Sequence, residues 1–401
     1  MTRVFQSPDK TKGLRALVVG AGLYAHAKVA TDKAPALKPL TSVAPSVNEF
    51  VRRLLTSWRP ELALDLLSID LLLDDPLRPD GVTWPGYGVV GEAAAGLAID
   101  PPTMDKLDAA LQAAIKDATA DEGLLLFFCG HGFSRTSRYY VAADFGKSGN
   151  PWSKVVDLSA LELGLRQIPP RTQWLFWDCC ADIPMEILES LGPIGDPLIP
   201  PRASRISAAE RAYGMLSRFG VASAPPGEQA FGIADLPSRF TEMLMEAIEG
   251  SGATRTRNNG VWWVDDSGMR DAIQTYAQRH PDLDDPRFYV FVTPFSSDAP
   301  QRMSLRRLAT APKSLLIASC ASRPVALKNA HVTVAPDDDV GGAPVFVQAP
   351  PPPGQRAIIH VPVPARRSYK VTVVFNGDTA PQTRVCYADL PLAEAAEFNW
   401  P

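Results

Sequence analysis

Cysteine pairs at metal-binding spacing are missing from this chain. There is no CxxC and the five histidines are far apart, so no zinc site is expected and no other metal ligand is assigned. Cysteine itself is scarce: Cys129, Cys179, Cys180, Cys320 and Cys386. An odd count in 401 residues does not suit a disulfide framework and fits a reducing compartment. No apolar run approaches the about 20 residues of a membrane helix. Met1 to Lys12 is polar and lacks the apolar centre of a signal peptide. The expected location is therefore the cytoplasm, with no membrane partner. An excess of positive charge is absent too: 40 Lys and Arg against 44 Asp and Glu give −4. That argues against nucleic acid as a partner. Basic pairs such as Arg52-Arg53 and Arg366-Arg367 read as solvated surface. No internal repeat stands out.

What the chain does have is enough apolar residues, 46%, to build cores, and more length than one compact domain needs. Three short apolar runs end in small or reactive residues. Leu14–Gly20 runs into Ala21-Gly22, Leu124–Cys129 into Gly130-His131-Gly132, and Trp174–Trp177 into Asp178-Cys179-Cys180. Each reads as a buried parallel strand. Helical patterns separate them, at 46–58 and after Thr103, a suitable N-cap. Further on, 220–224 reads as a strand, 240–249 and 268–280 as helices, and 289–292 as a last strand. The expected fold is α/β, a mostly parallel sheet flanked by helices. Past residue 300, short β-type runs alternate with Pro- and Gly-rich turns, including Pro350–Pro353 and Asn376-Gly377. They read as a small all-β, sandwich-like domain. The expected division is 1–300 and 301–401.

His131 and Cys180 each follow a parallel strand, at the carboxyl edge where such sheets bind ligands. A thiol attacks a carbonyl as thiolate and benefits from a nearby imidazole. Glycines beside the histidine leave backbone N–H groups open to an oxyanion. The pair is thus a candidate dyad, with His131 as base and Cys180 as nucleophile. The N–H groups of Gly132 and Cys180 are candidate oxyanion donors. A lone cysteine at a strand end is more often space-filling, and a lone histidine beside glycine is more often a turn residue.

Together, Leu14–Gly20, Gly130-His131-Gly132 and Asp178-Cys179-Cys180 resemble the signature segments of caspase-like cysteine peptidases, prokaryotic metacaspases or orthocaspases in particular. Tyr139–Asp144, Ala222–Ala230 and Arg239-Phe-Thr241 fit the same resemblance, which covers roughly residues 12 to 298. It implies a caspase-like sheet and a nucleophile at the end of Asp-x-Cys. That selects Cys180 and leaves Cys179 to the core, on the other face of the strand. It also implies a cut after basic residues, with Asp178 and Cys129 lining the S1 pocket and Arg preferred over Lys through a bidentate pair. The bland reading of Asp178 is a strand-end carboxylate bonding backbone N–H groups. Ala181-Asp182-Ile183 departs from the family's His-Ser-Gly, and no early acidic residue is evident near Ala44 to Val47. Calcium dependence is left open and no cofactor is assigned.

Self-cleavage is expected in exposed connections, at Arg202, Arg205 or Arg211 within 192–211, or at Arg255 or Arg257 within 251–260. An uncut surface loop is the competing reading. The expected partners are protein substrates, with a regulatory protein or activating protease beside them. Stress response, cell death and antiphage defence are the settings the resemblance implies. A non-catalytic caspase-like scaffold is the alternative, and a different thiol hydrolase on a similar sheet is the third class. The oligomeric state and the role of the β-rich tail are left open.

Overall fold

The computed structural model describes residues 2–27, 36–134, 137–147, 150–179, 194–223, 234–255, 261–279, 293–297, 303–320, 330–337, 344–348, 359–365, 367–375, 380–388 and 396–398. The chain forms two compact units. The first comprises Met1–Glu242 with Phe291–Met303, and the second Met243–Val290 with Ser304–Pro401. The segment Met243–Val290 thus groups with the second unit, where the sequence places a single boundary near 300.

A seven-stranded sheet organises the first unit. Its strands are β1 (Thr2–Gln6), β2 (Leu14–Gly20), β3 (Leu66–Leu73), β4 (Gly123–Gly130), β8 (Thr172–Cys179), β9 (Ser217–Ala222) and β10 (Thr293–Ser297). A small antiparallel sheet of β5 (Gly132–Ser134), β6 (Arg138–Val141) and β7 (Val155–Asp157) intervenes in sequence. The order across the large sheet is β1-β3-β2-β4-β8-β9-β10. The five inner strands are parallel, and β1 and β10 close the two edges antiparallel. The chain steps from β2 to β3 on one side, then returns to lay β4 on the other side of β2. This makes the carboxyl ends of β2 and β4 the topological switch point, where open α/β sheets hold their ligands.

Leu124–Cys129 of β4 and Trp174–Trp177 of β8 are continuous apolar runs because both faces of these strands are covered. Alternation sorts the side chains. Phe127 and Phe176 face helix α1 (Val43–Leu55), where Phe50 stacks on Phe127 at 4.6 Å and meets Phe176 edge-on at 6.3 Å. Phe128 and Trp177 point the other way and pack edge to face at 5.2 Å. That second face carries helix α2 (Met104–Ile115), helix α3 (Leu158–Gly164) and the small sheet. Thr103 stands at the N-cap of α2 as expected, but its side chain makes no cap bond. Asp144 supplies it instead, accepting the Met104 N–H at 3.1 Å.

In the large sheet, β1, β3 and β10 lie outside the runs that the sequence marks as strands. β3 carries Ser68 and Asp70 in a wholly buried run. Asp70 is neutralised by Arg3 of β1 through a two-point contact at 2.9 and 3.0 Å. β10 lies just after the run at 289–292, which is outside the described residues, as are Pro350–Pro353 and Asn376-Gly377.

In the second unit, helix 266–279 accompanies a three-stranded antiparallel sheet of Ala253–Arg255, Trp262–Asp265 and Ser304–Leu308. Two further sheets follow. One pairs Lys313–Cys320 with Ile359–Pro364 and Ala396–Phe398. The other orders Phe346–Gln348, Ala330–Pro336, Arg367–Phe375 and Gln382–Ala388. Their inner residues share one core that includes Leu316, Val332, Val361, Tyr369, Val371 and Phe398.

Because Phe50 is fully buried between Phe127 and Phe176, Phe50→Ala should cost about 3–5 kcal/mol. A chemical denaturation midpoint, compared with wild type, measures this.

Candidate active site

Strands β4 and β8 run parallel, with Asp178 opposite Cys129 and Cys179 opposite Gly130. Both strands end there, one residue before His131 and one residue before Cys180. Cys180 itself lies outside the described residues, as do Ala181, Asp182, Ile183 and Arg257.

His131 is held on three sides. Gly130 turns the chain at φ +156°, and a Cβ there would meet the Ala21 carbonyl and the Tyr24 hydroxyl at 2.9 Å each. Glycine is therefore the residue that fits. The Tyr24 hydroxyl accepts the His131 N–H at 2.7 Å and donates to the Ala21 carbonyl at 2.9 Å. Its ring lies against the imidazole, centroids 4.8 Å apart. The imidazole Nε2 sits 2.8 Å from the Lys38 carbonyl. A carbonyl only accepts, so Nε2 carries a proton and the basic lone pair of the neutral ring is on Nδ1.

The loop behind these contacts has its own anchor. Asp74 accepts the N–H groups of Gly22 and Leu23 at 2.6 and 2.9 Å. The Gly22 carbonyl in turn accepts the Leu40 N–H at 2.9 Å, which fixes the segment carrying Lys38. Tyr24, Lys38 and Asp74 carry no motif. Two act on His131 through a hydroxyl or a backbone carbonyl, and the third acts through the loop.

Asp178 and Cys129 face the α1 side of the sheet. Asp178 is buried, and its Oδ2 accepts from Ser238 Oγ, from Thr241 Oγ1 at 2.6 Å and from Cys129 Sγ at 3.5 Å. Its bonds therefore come from side chains, where the bland sequence reading expects backbone N–H groups. Burial raises the Asp178 pKa, and the bonds from Ser238, Thr241 and Cys129 pull it back in part. Burial first, then the charge of Asp178, raises the Cys129 thiol well above its ordinary value. Cys129 is thus a protonated donor and not a nucleophile. Cys179 points to the opposite face, into the apolar cluster with Trp177 and Phe128.

Gly132 opens β5, paired with Tyr140. The expected processing residues are less loop-like than the sequence suggests. Helix α4 covers Ala203–Tyr213, with Arg202 at its N-cap and Arg205 and Arg211 on its exposed side. The alanines at 203, 208, 209 and 212 favour that helix. A peptidase engages extended chain, so Arg205 or Arg211 would be cut only after α4 unwinds. Arg255 ends a β-strand paired with Trp262. Among the described residues, no group of three or more His, Cys, Asp or Glu side chains could hold a metal ion. No described helix is long and apolar enough to cross a membrane.

Burial lowers the His131 pKa from 6.5, and the bond to the Lys38 carbonyl restores part of the shift. A folded-state value below the unfolded one gives stability that is full above 6.5 and is lost as pH falls through the folded value. Thermal melts of wild type should show this acid-side loss, and His131→Gln should lack that component.

No protein-family model matches this chain, and no curated protein does. Among solved structures, the protein GSU0716 from Geobacter sulfurreducens is 14% identical, with a TM-score of 0.41. The match covers 72% of this chain and 94% of that one. A likeness of that size shows no shared activity.

Proposed function

We propose that this chain is a cysteine endopeptidase on a caspase-like sheet, cutting protein substrates after basic residues. The observation that carries the reading is the register of β4 and β8. Two parallel strands end level with one another, immediately before His131 and Cys180, beside the switch point of the sheet.

In this mechanism His131 Nδ1 takes the proton of the Cys180 thiol, and the sulfur attacks the scissile carbonyl carbon. The N–H groups of Gly132 and Cys180 stabilise the oxyanion. The imidazolium then protonates the leaving amine, the C–N bond breaks and a thioester remains. His131 next takes a proton from water, whose oxygen attacks the thioester. The acid product leaves and Cys180 recovers its proton. The Lys38 carbonyl keeps Nε2 protonated throughout, so the same ring nitrogen works in both half-reactions.

Asp178 is the S1 carboxylate in this reading, with Cys129 beside it. It is buried opposite Cys129 near the carboxyl end of β8, with hydroxyl and thiol partners and no cationic one among its bonds. A substrate cation supplies the missing charge.

A fluorogenic panel with Arg, Lys or Asp at P1 tests the activity. Basic peptides should be cut, the Asp peptide spared, and Cys180→Ala inactive. Cleavage of the Asp peptide alone, or none that depends on Cys180, overturns the reading.

Asp178→Asn separates the S1 role from an anchoring one. A raised folded-state pKa means ionisation costs stability as pH rises through that value. The amide removes this cost, so the melting temperature at pH 7 should not fall. Cleavage of basic peptides should drop about a hundredfold, within the loss from truncating one partner of a buried charged pair. Undiminished cleavage by Asp178→Asn would remove Asp178 from the pocket.

A further inference from the structure

The donors on Asp178 all converge on one oxygen. Ser238 Oγ, Thr241 Oγ1 and Cys129 Sγ each meet Oδ2, and none of these bonds falls on Oδ1. A carboxylate oxygen offers about two good acceptor directions. The two hydroxyls fill them, and the thiol adds a weaker third contact.

These hydroxyls are fixed before any ligand arrives. Ser238 donates its N–H to Ser46 Oγ at 2.8 Å, and Ser46 Oγ donates to the Ser42 carbonyl at 2.8 Å. Ser238 Oγ also accepts the Thr241 N–H at 3.0 Å, capping the helix that begins at Arg239. The oxygen facing them is thus committed to the protein by a chain of bonds that reaches back to α1.

Arginine gains over lysine at a carboxylate because its planar fork engages both oxygens at once. With Oδ2 saturated, a guanidinium has one oxygen left to meet, and an ammonium meets one oxygen equally well. We propose that Ser238 and Thr241 are specificity-determining residues that hold the enzyme near indifference between Arg and Lys at P1. The proposal rests on Asp178 being the S1 carboxylate of a cysteine peptidase. It narrows the Arg preference expected from the sequence: a fork can form only when Oδ2 is released. Ser238 and Thr241 act through Asp178 and are positioning residues.

The test is a pair of peptides differing only in Arg or Lys at P1, read as the ratio of their kcat/KM values on the full chain. For wild type the ratio should lie within about threefold of unity. Thr241→Ala, which keeps the Ser238 cap, should raise it about tenfold toward Arg, the discrimination of one charge-assisted hydrogen bond. Ser238→Ala should move it the same way, with a lower melting temperature from the lost cap. Thr241→Ser, which restores a hydroxyl, should return the wild-type ratio. A purely structural role would slow both peptides alike and leave the ratio still. A wild-type ratio already above tenfold overturns the proposal, as does an unmoved ratio in a folded, active Thr241→Ala enzyme. Absence of any Cys180-dependent cleavage overturns the underlying reading instead, and is told apart because no ratio is then obtained.

Discussion

Strands β4 and β8 are parallel neighbours covered on both faces, and every feature of the candidate site depends on their register. The register is held by aromatic packing that differs between the two faces. Phe127 and Phe176 fit under Phe50 on one side, while Phe128 and Trp177 meet edge to face on the other. A slip of one residue would exchange these sets, since side chains alternate strictly along a strand. It would also carry Asp178 and Cys129 from the α1 face to the opposite one, away from Ser238 and Thr241. The packing that stabilises the sheet is therefore what sets a carboxylate opposite a thiol at its carboxyl edge.

How much of this is legible in the sequence depends on whether the cause is local. β4 and β8 announce themselves as apolar runs bounded by Gly130 and by Asp178-Cys179, because a strand buried on both faces has no polar side to disguise it. β3 does not, because Asp70 interrupts its pattern. The partner that makes Asp70 tolerable, Arg3, lies on another strand, and its two-point contact exists only after folding. Thr103 shows a similar displacement. The sequence places a cap at the start of α2, and a cap is there, but Asp144 makes the bond. The loop expected over 192–211 contains α4 because its alanines outweigh the prolines that precede them.

At the site, the residues that carry functional groups of unusual chemistry stand out, and those that merely hold them do not. His131 between glycines is conspicuous. The Lys38 carbonyl that assigns its tautomer is a backbone atom, and any residue at that position would supply one. Tyr24 reaches the His131 N–H across a long sequence separation through a switch-point loop that Asp74 ties down. Ser238 and Thr241 belong to the commonest class of helix-starting residues, and nothing local distinguishes a hydroxyl that caps a helix from one that also binds a carboxylate.

Asp178 shows how the two demands on a buried charge conflict. Burial alone would drive its carboxyl toward the neutral form, which binds no cation. The bonds from Ser238, Thr241 and Cys129 oppose that shift by stabilising the charged form. Each such bond also occupies an acceptor direction that a ligand could use. Loading both oxygens would leave an ionised but unreceptive carboxylate, and loading neither would leave an open but neutral one. Donors gathered on Oδ2 alone favour the charged form while none of the three bonds occupies Oδ1. If Asp178 receives a basic side chain as proposed, selectivity between arginine and lysine is what this division gives up, because a planar fork needs the oxygen that the hydroxyls hold.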